Sequence, residues 1–117
     1  MKIHVLFMIV ALSLAPLAAL AASAGDTPAG QAYRQANDKM MEGMEKEPSG
    51  DADRDFVMMM IPHHQGAIDM AKVELKYGKD PELRKMAEGI VKAQEREIAQ
   101  MKDWQLRYNA PAMAQTK

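Results

Sequence analysis

The stretch that decides the fold runs from Phe56 to Leu83 and reads FVMMMIPHHQGAIDMAKVELKYGKDPEL. Up to Tyr77 its apolar residues recur at helical spacing: Phe56, Met60, His63, Ala67, Met70 and Glu74 share one face. Val57, Ile61, His64, Ile68 and Leu75 widen it, so this helix should touch more than one neighbour. Asp51 or Asp53 caps its start and Gly78 ends it. Asp80-Pro81-Glu82 then opens a second helix, and the short Gly78-Lys79 link forces the two into an antiparallel hairpin. Inside the first helix, Pro62 deletes one backbone donor and crowds the preceding turn, which predicts a kink near Met58.

Working outward, the helix after Pro81 carries the stripe Leu83, Met86, Ala87, Ile90, Gln94, Glu97, Met101, Trp104, Tyr108 and should end near Tyr108, before Asn109 and Pro111. Upstream, Thr27-Pro28 opens another helix that runs to about Lys46. Its stripe is Ala29, Tyr33, Ala36, Met40 and Met44, with Met41 at the edge, and Pro48-Ser49-Gly50 breaks it. The expected class is all-α: an antiparallel hairpin plus one N-terminal helix. A fourth helix would complete a bundle, so three leave either a three-helix protein or a dimer.

The flanks read differently. Lys2, the apolar run Ile3 to Leu20 and the small-x-small triplet Ala22-Ser23-Ala24 make a secretory signal peptide over residues 1–24, cleaved after Ala24. The run could barely span a bilayer, and Pro16 with the alanine-rich end favours cleavage over an anchor. No cysteine follows to carry a lipid. Residues 25–110 then form a single helical domain and 111–117 a disordered tail. The expected location is periplasmic or secreted, with no membrane association after cleavage. The formal charge of the 117 residues is −1, so no basic surplus draws nucleic acid.

There are no cysteines and 12 methionines. All but Met1 and Met8 lie beyond Ala24. Soft-metal chemistry must therefore use thioethers and imidazoles. Counting across the hairpin puts His63 level with Arg96 and Glu97, and Met59 and Met60 level with Met101. The same count across the upstream loop puts Met40, Met41 and Met44 near Met58, Met59 and Met60. Ligands from three helices are thus expected to converge around Pro62: His63, His64, Met59, Met60, Met101, Met40, Met41 and Met44. Thioethers select Cu(I) over hard cations, imidazole suits copper, and neither must lose a proton from a thiol to bind. His63 and His64 point about 100° apart, while Met59 with His63 and Met60 with His64 are i,i+4 pairs able to grip an ion.

Each piece has a plainer reading. Methionine on an apolar stripe is usually core filler, which is how Met70 and Met86 are read. Met58 to Met60 together with Met40, Met41 and Met44 are too many for one buried face. Glu97 could orient His63, pair with an arginine, or face solvent; Glu74 reads as structural. Enzyme signals are weak. Met60 and Ile61 stand three residues before the histidines, where a di-iron bundle would have glutamates, and His-Glu-x-x-His is absent.

The segment Phe56 to Ala71, with its core Met60-Ile61-Pro62-His63-His64-Gln65, closely resembles the signature of the domain-of-unknown-function family 305. Asp80-Pro81-Glu82-Leu83 and Gln94, Glu97-Ile98, Met101 and Trp104 look like its downstream pattern, so the resemblance covers roughly Arg54 to Trp104. That family is similar to ferritin-like four-helix bundles and includes periplasmic copper-binding proteins linked to copper resistance. The resemblance implies copper binding at His63, His64 and the neighbouring methionines. Many members have a second half or a fourth helix that is missing here, which favours a dimer. The expected function is a non-catalytic Cu(I) buffer or carrier in copper tolerance, with Cu(II) or Ag(I) as related cargo. The alternative is a helical interaction module or homodimer whose methionines are packing.

Overall fold

The computed structural model describes residues 24–109. The signal peptide expected over 1–24 lies outside them except for Ala24, and so does the tail at 111–117. Among the described residues helix is the sole regular structure, as the patterning predicts: a 3-10 turn, Ala24–Asp26, then α1 Pro28–Met44, α2 Ala52–Tyr77 and α3 Pro81–Asn109. No described helix is long and apolar enough to cross a membrane.

Local chemistry fixes each boundary. Thr27 caps α1, its hydroxyl accepting from the Gly30 N–H at 3.1 Å, with Pro28 in the first turn. Of the two candidate caps for α2, Asp51 does the work, accepting from the N–H groups of Asp53 (3.0 Å) and Arg54 (3.2 Å). Asp80 accepts from Glu82 and Leu83 at 2.9 Å each, starting α3. The end of α2 differs from the expected glycine cap. Gly78 is extended (φ −68°, ψ 148°), and Arg84 from α3 donates to the carbonyls of Leu75 (2.7 Å) and Gly78 (3.1 Å). α2 runs unbroken through Pro62.

α1 and α3 both pack on α2 and make no close backbone approach to each other. The α2–α3 seam holds the core: Val57 and Ile68 against Ile98 and Met101, with Met60, Ile61, Val91 and Trp104 packed around them. The far end of this seam is tied by Tyr108, whose hydroxyl donates to Asp51 at 2.7 Å. Tyr108 also stacks on Trp104 and lies under the Arg54 guanidinium.

The α1–α2 seam corrects the expected register. α1 stops at Met44, two residues before Lys46, and residues 45–51 lead from there to the start of α2. A Cβ on Gly43 would lie 2.7 Å from the Pro62 ring, and one on Gly66 would lie 2.5 Å from Met40 Sδ. Met40 therefore fills the space over Gly66, and Pro62 fills the space over Gly43. This reciprocal fit, with Lys39–Asp69 at 3.2 Å beside it, sets α1 against the middle of α2. Met40 is consequently level with Gly66 and not with Met59. The link is held by Asp55, whose carboxylate accepts from Ser49 N and Oγ (2.7 Å each) and Gly50 N (3.0 Å). Gly50 takes φ +89°, a region that disfavours any side chain.

Two outcomes follow from these contacts. Gly43→Val must push α1 off the Pro62 ring and should lower Tm by several degrees, since overpacking costs about 1–3 kcal/mol. Gly89→Ala meets nothing within 4 Å and should raise Tm, because alanine is the better helix former by up to about 1 kcal/mol. At the start of α2, the Tyr108 hydrogen bond, then the Arg54 N–H, holds the Asp51 carboxyl below the usual aspartate range. A depressed pKa stabilises the folded state above the unfolded value of about 3.9, and that contribution is lost as pH falls through the lower folded value. Carboxyl NMR titration should show Asp51 moving back toward an ordinary aspartate in Tyr108→Phe.

Candidate metal centre

α2 presents four strips of surface, and the candidate ligands are divided among them. Val57, Ile61, His64 and Ile68 recur at helical spacing on the α3 seam. Pro62, Gly66 and Asp69 form the α1 seam. Arg54, Gln65, Lys72 and Lys76 mark the polar side. Phe56, Met59, His63, Ala67 and Met70 form the remaining strip, which neither helix covers along its length. Phe56 is 59% exposed and Met59 37%. α1 reaches this strip at its far end, where the Tyr33 hydroxyl bonds Glu74. Burial, then the Glu74 charge, raises the Tyr33 pKa.

The two adjacent histidines thus live in different surroundings. His63 is exposed on the open strip, one turn from Met59. His64 is buried in the α3 seam, 8% exposed, one turn from Met60. Its Nε2 lies 2.5 Å from Glu97 Oε2. A carboxylate only accepts, so Nε2 carries the proton and donates. In the neutral ring Nδ1 then holds a lone pair, and Nδ1 is buried with no hydrogen-bond partner. Gln94 Oε1, three residues before Glu97, is buried and unpartnered as well. The His63 and His64 ring centroids are 6.0 Å apart at an interplanar angle of 61°. Two imidazoles on one ion span about 6 Å at most, given metal–nitrogen bonds of about 2 Å.

Glu97 is therefore an orienting partner, but of His64 and not of His63. The sequence contained this signal: His64 shares the spacing of Val57 and Ile68, the stripe that meets α3. Met60 and Met101 belong to the same seam, and Met101 is 9% exposed within the core. Met40 packs over Gly66, Met44 is half-buried, and Met41 is 48% exposed on α1. The α1 methionines do not join Met58 to Met60 in one cluster. Met58 lines a cleft of about 180 Å³ with Ser49, Arg54, Trp104 and Tyr108. Among the described residues no three His, Cys, Asp or Glu side chains come together around a metal-sized space. Beside the Glu97 carboxylate, the donors nearest the histidines along α2 are the thioethers of Met59 and Met60, one helical turn before His63 and His64.

Removing Glu97 should be felt through His64. Glu97→Ala leaves the buried Nε2–H without its acceptor and should cost about 1 kcal/mol in urea unfolding, the low end of the range because Glu97 itself is half-exposed. His63→Ala, on the open strip, should stay within about 0.5 kcal/mol of the parent.

No curated protein gives a significant match to this chain. The sequence matches the family described as "Domain of unknown function (DUF305)" over residues 15–105, a span that takes in α1 and most of α3 as well as the histidine segment. With the greater part of its length matched, the chain belongs to the DUF305 family.

Proposed function

We propose that this protein is exported to the periplasm, or secreted, and binds copper as cargo, holding Cu(I) through imidazole and thioether and serving as a buffer or carrier in copper tolerance. The observation that carries the reading is the state of His64. One ring nitrogen is locked by a carboxylate while the other is buried with its lone pair unused. A carboxylate on the far nitrogen fixes the tautomer and aim of a ligand imidazole and strengthens it as a donor. His63 stands beside it at a spacing compatible with sharing an ion, and Met60 and Met59 stand one turn away on the same two strips. Two neutral imidazoles and soft thioethers suit Cu(I), and by the same softness Ag(I), better than Mg²⁺ or Ca²⁺. The resemblance of the Met-x-Pro-His-His segment to copper-binding members of the family points the same way.

The test is an anaerobic Cu(I) titration against a competing chromophoric chelator. The parent should take copper stoichiometrically, and His63→Ala/His64→Ala should lose it. Glu97→Ala should bind about 10–100-fold more weakly, the usual cost of losing a partner behind a metal-bound histidine. Failure of the parent to compete with the chelator would return the methionines to packing.

A further inference from the structure

The open strip of α2 is self-complementary about His63. Its residues are Phe56, Met59, His63, Ala67 and Met70, and α2 spans Ala52–Tyr77, so His63 lies close to the middle of the helix. If a second α2 lies antiparallel across this strip with a two-fold axis at His63, each residue meets the one equally far on the other side. Met59 then falls on the partner's Ala67, a large side chain on a small one. Phe56 falls on the partner's Met70, a thioether against an aromatic ring. The two His63 side chains meet at the axis, each with its Met59 one turn away.

The size of the face fits as well. α2 has 26 residues, so it is about 39 Å long. Helices pack about 8–10 Å apart, so the layer from α1 to α3 is about 16–20 Å wide. With α1 only 17 residues long, the face comes to roughly 500–650 Å², enough to clear the ~500 Å² per partner that a small biological interface needs. Phe56 (59% exposed) and Met59 (37%) on this face, with Tyr33 (40%) at its far end, are residues a monomer would rather cover. The opposite side of α2 bears Arg54, Gln65, Lys72 and Lys76 and offers no such surface.

We infer that a second copy of this chain docks on the open strip of α2 with His63 on the two-fold axis, so that Met59 and His63 from both copies bracket one copper ion. The copper part rests on the function proposed above; the docking surface does not. Within one chain His63 has on this strip one thioether a turn before it, Met59, while Met70 lies two turns on, and the second copy doubles the pair at the axis to two nitrogens and two sulfurs. In a two-fold dimer the same patch serves both partners, so no unpaired face is left to propagate into a fibre.

The protein in its native processed form tests this by light scattering with and without Cu(I), with copper per chain measured in the same fractions. The expected result is a mass of two chains, lost in Ala67→Arg together with one copper ion per two chains, while helicity by circular dichroism is kept. Because the chain has no cysteine, His63→Cys gives a single thiol on the axis. A short bis-thiol reagent should link it into dimers and leave Lys72→Cys, on the polar side, unlinked. A monomer at all concentrations that still binds one copper per chain through His64 would overturn the inference and leave the copper reading standing. A metal-free dimer broken by Ala67→Arg that takes no copper would uphold the surface and overturn the copper reading.

Discussion

Every close backbone approach between the three described α-helices is made through α2, because the α1 and α3 backbones stay apart. A helix packed on two sides must supply two different surfaces. Against α3 it offers branched and bulky side chains, Val57, Ile61 and Ile68, which bury against Ile98 and Met101. Against α1 it offers the opposite, a proline ring and the absence of a side chain at Gly66. The first seam is a hydrophobic core in the usual sense, driven by apolar area removed from water. The second is a shape match in which α1 settles into the one register where Gly43 meets Pro62 and Met40 meets Gly66.

That difference explains what could be read from the sequence. The helices, their starts at Thr27-Pro28 and Asp80-Pro81, a cap at Asp51 or Asp53, and the hairpin are legible because they depend on local chemistry and on a link of a few residues. The α2–α3 register was nearly legible for the same reason: a short loop leaves little slack, and the count missed by about one residue. That single residue moved Glu97 from His63 to His64. The α1–α2 register was not legible. Residues 45–51 are long enough to let α1 slide by two turns, and what stops the slide is the fit of two glycines. Counting back across residues 45–51 treats that link as a tight turn, which sets Met40 and Met44 too near Met59.

The candidate site was legible in its members and not in its arrangement. The pairing of Met59 with His63 and of Met60 with His64 follows from helical spacing alone. Which pair faces α3 and which faces outward depends on where the neighbouring helices sit. Met101 was expected as a ligand because it is level with Met60; its place among Val57, Ile68 and Ile98 gives it a packing role that level alone does not reveal.

Pro62 links the packing to the proposed chemistry. It lacks an N–H, so the Met58 carbonyl loses its partner within the helix, yet α2 continues through the position. The ring is covered by α1 at Gly43, so the proline is held from outside the helix. The two histidines follow it directly, one sealed against α3 and one open. A buried imidazole locked by Glu97 is pre-aimed and needs little reorganisation to bind an ion, while an exposed neighbour can meet the ion first. Burying a cation among neutral donors leaves its charge uncompensated, and the Glu97 carboxylate behind His64 supplies the negative charge through the ring. On the proposed reading, the unequal burial of His63 and His64 is what lets one site be both accessible and prearranged, and the packing of α3 over His64 alone, with α1 seated on Pro62, creates that inequality.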